Sequence, residues 1–383
     1  MKRRALLSAA LGVLVLAVAL ITGVYRLRHD AQIWTSDSAI YLRMTLEDRG
    51  LSREAAKSQS DAFMAATPEG RNPEAAGFYT PSPPRYYAEQ YGLFRSRPLY
   101  PRIAAALYGR VGPRGLELIS VAAYVAASVL LYGILRLFVG PCAAAVGALA
   151  FATAPQVLAV AALPLTDELA LLFWTAALGA MLRFGRSPDA PWLACVVVAA
   201  LALTFTRPAA YLPVGAACGY LIAVRGDAER RRWAVALVVA TLLVAAAFFV
   251  YSAAIHGPGL TEQLDWQYRW QRDVNGFGAG GSFARWYVLA AGAAVGLLLT
   301  VGFYKYAALL PLVLAGYGAT IARRDDLGLL LGGAVATLVA VLANPLELNR
   351  TVLLPLTPVV VILATLAVGR LFGDRAATAE TAR

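Results

Sequence analysis

The sequence predicts an all-α, polytopic transmembrane helical bundle of about ten transmembrane helices, with a large external first loop that carries interfacial helices. Of the 383 residues, 59% are hydrophobic and only 15% are charged. The mean hydropathy of +0.61 is higher than water-soluble globular domains normally reach. Several stretches exceed about 18 residues without a charge, which is the length a helix needs to cross roughly 30 Å of hydrocarbon. These observations exclude a soluble globular protein.

Charge and metal-ligating residues narrow the function classes. The net charge is +11, but in a membrane protein excess arginine marks cytoplasmic loops, so no nucleic-acid partner is expected. The three cysteines, Cys142, Cys195 and Cys218, lie in apolar runs without the spacing of a zinc site. The only histidines, His29 and His256, lack ligand-spaced partners. No metal site is therefore predicted, no cofactor is firmly indicated, and a divalent metal has no support from these residues.

The first membrane element is either a signal peptide or a retained signal anchor, and we predict the anchor. Residues 1–4 carry three basic side chains before an uncharged run over 5–25, and no clean cleavage site follows. The amino terminus is therefore expected in the cytoplasm. Residues 26–115 are too polar for lipid and form the first external loop within a single membrane domain of residues 1–383. Residues 51–94 show no clear periodicity.

The next spans are predicted over residues 116–138, 141–162, 167–184, 191–206, 208–224 and 233–255. This order puts the arginines of 183–186 and 225–232 on the cytoplasmic side, as the positive-inside rule requires. Residues 256–285 form a second external loop, whose aromatic and charged side chains suit the membrane surface.

Residues 286–321 are interrupted by Lys305 and cross the membrane once or twice. A single crossing places Arg323 and Arg324 in the cytoplasm. A span over 327–343 then leads to an external segment at 347–350, and a last span ends at Arg370 in the cytoplasm. We adopt the single crossing, which gives ten helices with both termini cytoplasmic. The arginine- and alanine-rich composition favours a bacterial inner (cytoplasmic) membrane.

Asp37 is the first candidate for chemistry. Thr35 or Ser36 can cap a helix that places Asp37 in its first turn and Tyr41 one turn later. The helix dipole favours an ionised carboxylate there. Asp37 either stabilises the start of this helix or accepts a proton from a bound hydroxyl group.

Further charged residues flank the predicted spans. The first loop ends with Arg95, Arg97 and Tyr100, which are suited either to a lipid phosphate or to ordinary interfacial anchoring. Asp167 and Glu168 follow Pro164 at the external end of a span. They either form a capped first turn that responds to the helix dipole, or they are functional acids on the same external face as Asp37.

Three cations have little loop around them. They are Arg207, Lys305 and Arg350. A charge at membrane depth costs at least about 2.5 kcal/mol, so each is expected to contact either an anion or a neighbouring acid. If they converge near one membrane face, they form a site for a phosphate held at the interface.

The order of short motifs resembles the GT-C superfamily of polytopic glycosyltransferases. The motifs are the signal anchor, Asp37 three residues before Ile40-Tyr41, the close of the first loop over 97–101, Thr-Asp-Glu over 166–168, Leu-Thr-Phe-Thr-Arg-Pro over 203–208 and Asn-Arg-Thr-Val-Leu-Leu-Pro-Leu-Thr-Pro over 349–358. No G-x-S-x-G, P-loop or dinucleotide-binding turn occurs. The resemblance covers most of the chain.

The resemblance implies an inverting hexosyl- or pentosyltransferase that moves a sugar from a polyprenyl-phosphate carrier to a glycan, lipid or protein acceptor at the external face. Asp37 matches the first-loop acid that acts as general base, and cations stabilise the departing lipid phosphate. The sequence departs from the family pattern because Ser36 and Ser38, not a second acid, flank Asp37. Asp167 or Glu168 is the candidate for that second acid.

Two other functions use the same residues. A transporter or lipid flippase would hold an anion in transit at the intramembrane cations, although the long first loop argues against it. A noncatalytic scaffold would use the loop to bind a partner, which leaves Arg207 and Lys305 without a role.

Overall fold

The computed structural model describes residues 2–30, 33–67, 84–225, 227–275, 282–304, 309–343 and 349–372. These residues form seventeen α-helices and one π-helical turn, and no strand occurs among them. The predicted all-α, polytopic membrane fold is confirmed.

The first loop and its flanking spans contain six helices. They are α1 (Lys2–Asp30), α2 (Ser36–Asp48), α3 (Arg53–Ala66), α4 (Pro84–Phe94), α5 (Leu99–Val111) and α6 (Arg114–Leu135). The middle of the chain forms α7 (Pro141–Ala152), α8 (Pro155–Leu158), α9 (Asp167–Arg186), α10 (Ala190–Thr206), α11 (Tyr211–Ala223) and α12 (Ala228–Ala254). The remainder forms α13 (Leu260–Asn275), α14 (Phe283–Tyr304), α15 (Leu309–Ile321), α16 (Arg324–Ala343), the π-helical turn (Asn349–Leu353) and α17 (Leu354–Leu371).

Five helical segments among the described residues are long and apolar enough to cross a membrane. They are Arg3–His29, Arg114–Leu135, Asp167–Arg186, Ala228–Ala254 and Arg350–Leu371. Four shorter apolar helices, Pro141–Ala152, Ala190–Thr206, Tyr211–Ala223 and Leu310–Ile321, pack among them. The chain is a multi-pass membrane protein.

Helix α9 defines two ends of the bundle. It begins at Asp167 and ends at Arg186, about 30 Å away. At its start Ser120 of α6 donates a hydrogen bond to the carbonyl of Leu165, and at its end Arg186 donates to the carbonyl of Leu137. We call the first the site end and the second the arginine end. Helices α6 and α9 therefore run in parallel between them.

Several boundaries differ from the sequence prediction. The predicted span 141–162 is wrong as one continuous helix, because α7 ends at Ala152 and a separate short helix begins at Pro155. Proline disfavours the helical conformation of the residue that precedes it. Helix α1 continues to Asp30, and α12 begins at Ala228. Residues 286–321 contain two helices, α14 and α15, and Lys305 between them lies outside the described residues.

The first loop packs onto the site end as a second small core. Trp34, Tyr41 and Tyr100 are fully or almost fully buried there against Leu116 of α6 and Leu169 of α9. Aromatic side chains bury large areas at low entropic cost, so this cluster fixes α2 and α5 on the membrane helices. The loop is therefore an ordered part of the bundle end.

The carboxy-terminal helices approach closely because of glycines. A Cβ atom at Gly219 of α11 would lie 2.1 Å from the carbonyl oxygen of Gly328 in α16. Small residues permit this backbone contact between membrane helices. On the other side, the indole of Trp174 in α9 donates a 2.9 Å hydrogen bond to the carbonyl of Pro355. These contacts position the π-helical turn beside the start of α9.

Candidate active site

Asp37 lies in the first turn of α2, as predicted. Thr35 is the N-cap: its hydroxyl accepts from the backbone N–H of Ser38 at 3.3 Å, while the Ser38 hydroxyl accepts from the Thr35 N–H at 3.2 Å. This capping box satisfies two backbone donors at the helix start. The carboxylate of Asp37 is thereby held at the site end.

Asp167 forms the centre of the charged cluster. It is 1% exposed at the start of α9 and accepts hydrogen bonds from both Arg207 and Arg350. The hydrogen bond from Nε of Arg350 to Oδ1 of Asp167 is 2.9 Å, and Nη2 of Arg350 forms an ion pair of 2.9 Å with Oδ2. A hydrogen bond between two charged groups is stronger than one between neutral groups. Arg207 is the C-cap residue of α10, and its partner Asp167 lies 40 positions earlier in the chain.

Arg350 also reaches Asp37. Its Nη1 donates a 2.9 Å hydrogen bond to Oδ2 of Asp37, while Nε of the same guanidinium donates to Asp167. One arginine thus joins the first loop to a membrane helix, across 313 positions of sequence. Lysine could not do this, because it offers a point charge and not a planar fork.

The π-helical turn Asn349–Leu353 carries Arg350. Turns of this kind interrupt the regular helical ladder and occur often at functional sites. A cavity of about 20 Å³, room for roughly one water molecule, lies beside the turn between Asp167, Arg207, Tyr211 and Arg350. The charged side chains therefore pack closely.

Tyr41 connects Thr166, the residue before Asp167, to the end of the first loop. Its hydroxyl accepts a 3.2 Å hydrogen bond from Arg97 and lies 3.1 Å from the hydroxyl of Thr166. The Arg97 guanidinium stacks 4.4 Å above the ring of Phe94. Burial raises the pKa of Tyr41 above its usual value, so the phenol is neutral. The two ends of the loop therefore meet here.

One comparison with known proteins found a match for part of the chain. Residues 99–252 match a family model described as dolichyl-phosphate-mannose-protein mannosyltransferase. This is a family of the GT-C type. This match supports a membrane glycosyltransferase of the GT-C type. No curated protein matches the chain.

The matched segment contains only part of the cluster. Asp167, Glu168 and Arg207 lie within residues 99–252, whereas Asp37 and Arg350 lie outside them. The structure joins the matched and unmatched parts of the glycosyltransferase through the contacts of Arg350 with Asp37 and Asp167.

Other predicted residues lie at the margin of this cluster. Tyr100 is fully buried beneath Tyr41, and its hydroxyl donates a 2.8 Å bond to the carbonyl of Leu116. It therefore supports Tyr41 and is inaccessible to a substrate. The side chain of Arg95 makes no hydrogen bond or ion pair with the residues that the structure describes.

Glu168 is fully buried next to Asp167, but it forms no ion pair with either arginine. Neither of its carboxyl oxygens has a hydrogen-bond partner within the described part of the chain. The structure thus distinguishes the two adjacent acids: Asp167 belongs to the ionic cluster and Glu168 does not. In the same described ranges, no group of three or more His, Cys, Asp or Glu side chains is arranged to hold a metal ion.

Sequence reasoning missed Gln90. Its amide donates a 3.1 Å hydrogen bond to Oδ1 of Asp37, while Arg350 donates to Oδ2. Gln90 lies in α4, in the stretch whose periodicity gave no prediction. Proline at the start of α4 is typical of a helix amino terminus and was the available signal.

Proposed function

We propose that the glycosyltransferase moves a sugar from a polyprenyl-phosphate carrier to an acceptor hydroxyl group at the external membrane face, with inversion at the anomeric carbon. The observation that carries this proposal is the bridge from Arg350 to Asp37 and Asp167. It sets a base candidate next to two guanidiniums, which is the combination that transfer from a lipid phosphate requires.

Asp37 acts as the general base. Gln90 and Arg350 each bind one oxygen of its carboxylate, so rotation of one guanidinium donor exposes Oδ2 to an incoming hydroxyl group. The acceptor oxygen attacks the anomeric carbon while its proton passes to Asp37. The bond from the anomeric carbon to the phosphate oxygen breaks, and polyprenyl phosphate leaves as an anion. No covalent enzyme intermediate forms.

Arg207 and Arg350 stabilise the leaving phosphate. Both guanidiniums are mostly buried, with side chains 13% and 17% exposed, and Asp167 holds them in fixed orientations. Preorganised cations in a site of low dielectric stabilise developing negative charge more than they would in water. Asp167 is therefore a positioning residue. When the donor binds, the two guanidiniums exchange some of their contacts with this carboxylate for contacts with phosphate oxygens.

Charge distribution supports the external placement. Arg183, Arg186, Arg230 and Arg323 belong to the arginine end, and the site end lies across the membrane helices. Positively charged residues accumulate on the cytoplasmic side. The site end therefore faces the outside, and in a bacterial cell the enzyme acts at the outer surface of the inner membrane.

The transfer rate of the Asp37→Asn variant, compared with that of the wild type, tests this proposal. Membranes containing the wild type or the variant receive radiolabelled polyprenyl-phosphate mannose, with other hexose and pentose donors in parallel, and transfer to endogenous acceptors is counted. Asparagine keeps the size of the side chain but cannot take a proton. We expect the rate to fall by about 10²–10⁴-fold, the usual contribution of a general base.

Asp61→Asn is the matched control. Asp61 also lies in the first loop, but it is exposed on α3 and pairs with Lys57 at 2.6 Å. Its variant should retain the wild-type rate. Equal rates for wild type and Asp37→Asn would remove Asp37 as the base, and no transfer by the wild type from any donor would overturn the donor assignment.

A further inference from the structure

A groove opens at the opposite half of the bundle from the ionic cluster. It lies between α6, α9 and α10, near Leu130, Leu137 and Trp192, and has a volume of about 420 Å³. That volume is within the range of small-molecule sites, roughly 300–1,000 Å³. Apart from Arg183 the lining is apolar, mostly leucine, alanine and glycine.

Arg183 supplies a charge at one end of the groove. Its exposed guanidinium lies 5.9 Å from the ring centre of Trp192 and has no acid partner within the described residues. The neighbouring arginines differ, since Arg186 pairs with Asp326 and Arg230 with Asp325. An apolar groove that ends in an unpaired cation and a tryptophan is complementary to an amphiphile with an anionic headgroup.

Gly133 keeps the groove open. A Cβ atom at Gly133 would have no protein atom within 4 Å, so the space beside it belongs to the groove. Gly179 is different, because a Cβ atom there would lie 2.6 Å from the side chain of Ile134. A larger residue at position 133 would fill the groove without displacing the helices, which makes it a selective probe.

We propose that this groove binds an anionic phospholipid from the leaflet at the arginine end, with one acyl chain in the groove and the phosphate at Arg183. The site is separate from the proposed transfer site, because Asp167 lies about 24 Å from Arg183 along α9. The uncharged tail of a polyprenyl carrier would gain nothing from a cation at this position. A phospholipid headgroup would gain an ion pair.

Quenching of Trp192 by brominated lipids tests the proposal, because bromine on an acyl chain quenches indole fluorescence only on contact. The full chain is reconstituted in phosphatidylcholine vesicles containing a small fraction of brominated phosphatidylglycerol or brominated phosphatidylcholine. Trp192→Phe isolates the signal of this tryptophan. We expect about fivefold stronger apparent binding of the anionic lipid, the usual effect of one cation at a membrane surface.

Two variants and their controls decide the outcome. Arg183→Gln should remove the preference for phosphatidylglycerol, while Arg232→Gln, an exposed arginine of α12 near the same end, should keep it. Gly133→Leu should abolish quenching of Trp192 by either lipid, and Gly109→Leu, at another open helical glycine, should not. Equal quenching by both lipids in the wild type would overturn the proposal. So would displacement of the brominated lipid by polyprenyl phosphate but not by phosphatidylglycerol.

Discussion

The two ends of α9 both carry buried ion pairs, but they share charge differently. At the arginine end Arg186 lies 3.2 Å from Asp326, donates to the carbonyl of Leu137 and stacks 4.4 Å above Phe138. At the site end one carboxylate, Asp167, receives two guanidiniums, and one of these also holds Asp37.

The difference separates a structural contact from a reactive one. Within the described residues Arg186 pairs with one acid, Asp326 of α16, and this pair fixes α9 to that helix. Arg230 pairs with Asp325 of α16 and, at 3.7 Å, with Asp227, but its side chain is 39% exposed, so its charge does not depend on a buried partner. Arg350 divides its donors between two acids. A guanidinium that already serves two carboxylates can exchange one of them for a phosphate without becoming unpaired in a buried site.

The largest effect is expected for Arg350→Lys. Lysine keeps the positive charge but cannot bind Asp37 and Asp167 together. We expect the transfer rate per folded molecule to fall by at least about 100-fold, as when one preorganised donor of a transition state is lost. The assay is transfer from a radiolabelled polyprenyl-phosphate sugar. Arg186→Lys is the control and should retain most activity; equal losses in the two variants would remove the distinction between the ends.

A smaller effect is expected for Gln90→Leu. The substitution removes the hydrogen bond to Oδ1 of Asp37, and a hydrogen bond to a charged group contributes about 1.5–3 kcal/mol. The rate should fall about tenfold or more, with Asp37 still present. Gln156→Leu removes a 3.0 Å amide bond to Thr357 without touching Asp37 and should leave the rate unchanged. A wild-type rate for Gln90→Leu would show that Asp37 needs no second partner.

The smallest effect, on stability and not on rate, is expected for Glu168→Met. Both carboxyl oxygens of Glu168 are buried without a partner in the described residues, and burial of an unsatisfied polar group costs about 1–3 kcal/mol. Methionine should therefore raise the thermal unfolding temperature in detergent by a few degrees. Glu117→Met should lower it, because the Glu117 carboxylate accepts a 3.0 Å bond from Trp34. A large loss of transfer by Glu168→Met would instead make Glu168 part of the reaction.

Local signals predicted one half of the site. The cap at Thr35 and the position of Asp37 follow from neighbouring residues, because a capping box extends over four positions. The helices α10 and α11 agree with their predicted spans for the same reason, since a run of apolar residues is itself the physical requirement for crossing a membrane.

The other half depends on contacts between distant residues. Arg207 was expected to contact either an anion or an acid, and only the packing of α9 against α10 selects Asp167. Arg350 stood alone in the sequence because both of its partners lie more than 180 positions away. Gln90 gave no signal, since an uncharged polar residue in a nonperiodic loop has many possible environments.

The central claim is that the shared cluster at the site end performs transfer, whereas the closed pair at the arginine end maintains the fold. The most direct measurement compares Asp167→Asn with Asp326→Asn, two identical changes near opposite ends of α9, by transfer rate per monodisperse molecule and by unfolding temperature. We predict that Asp167→Asn loses at least about 100-fold in rate, and that Asp326→Asn unfolds at lower temperature but transfers at close to the wild-type rate. Equal rates for the two variants would contradict the account.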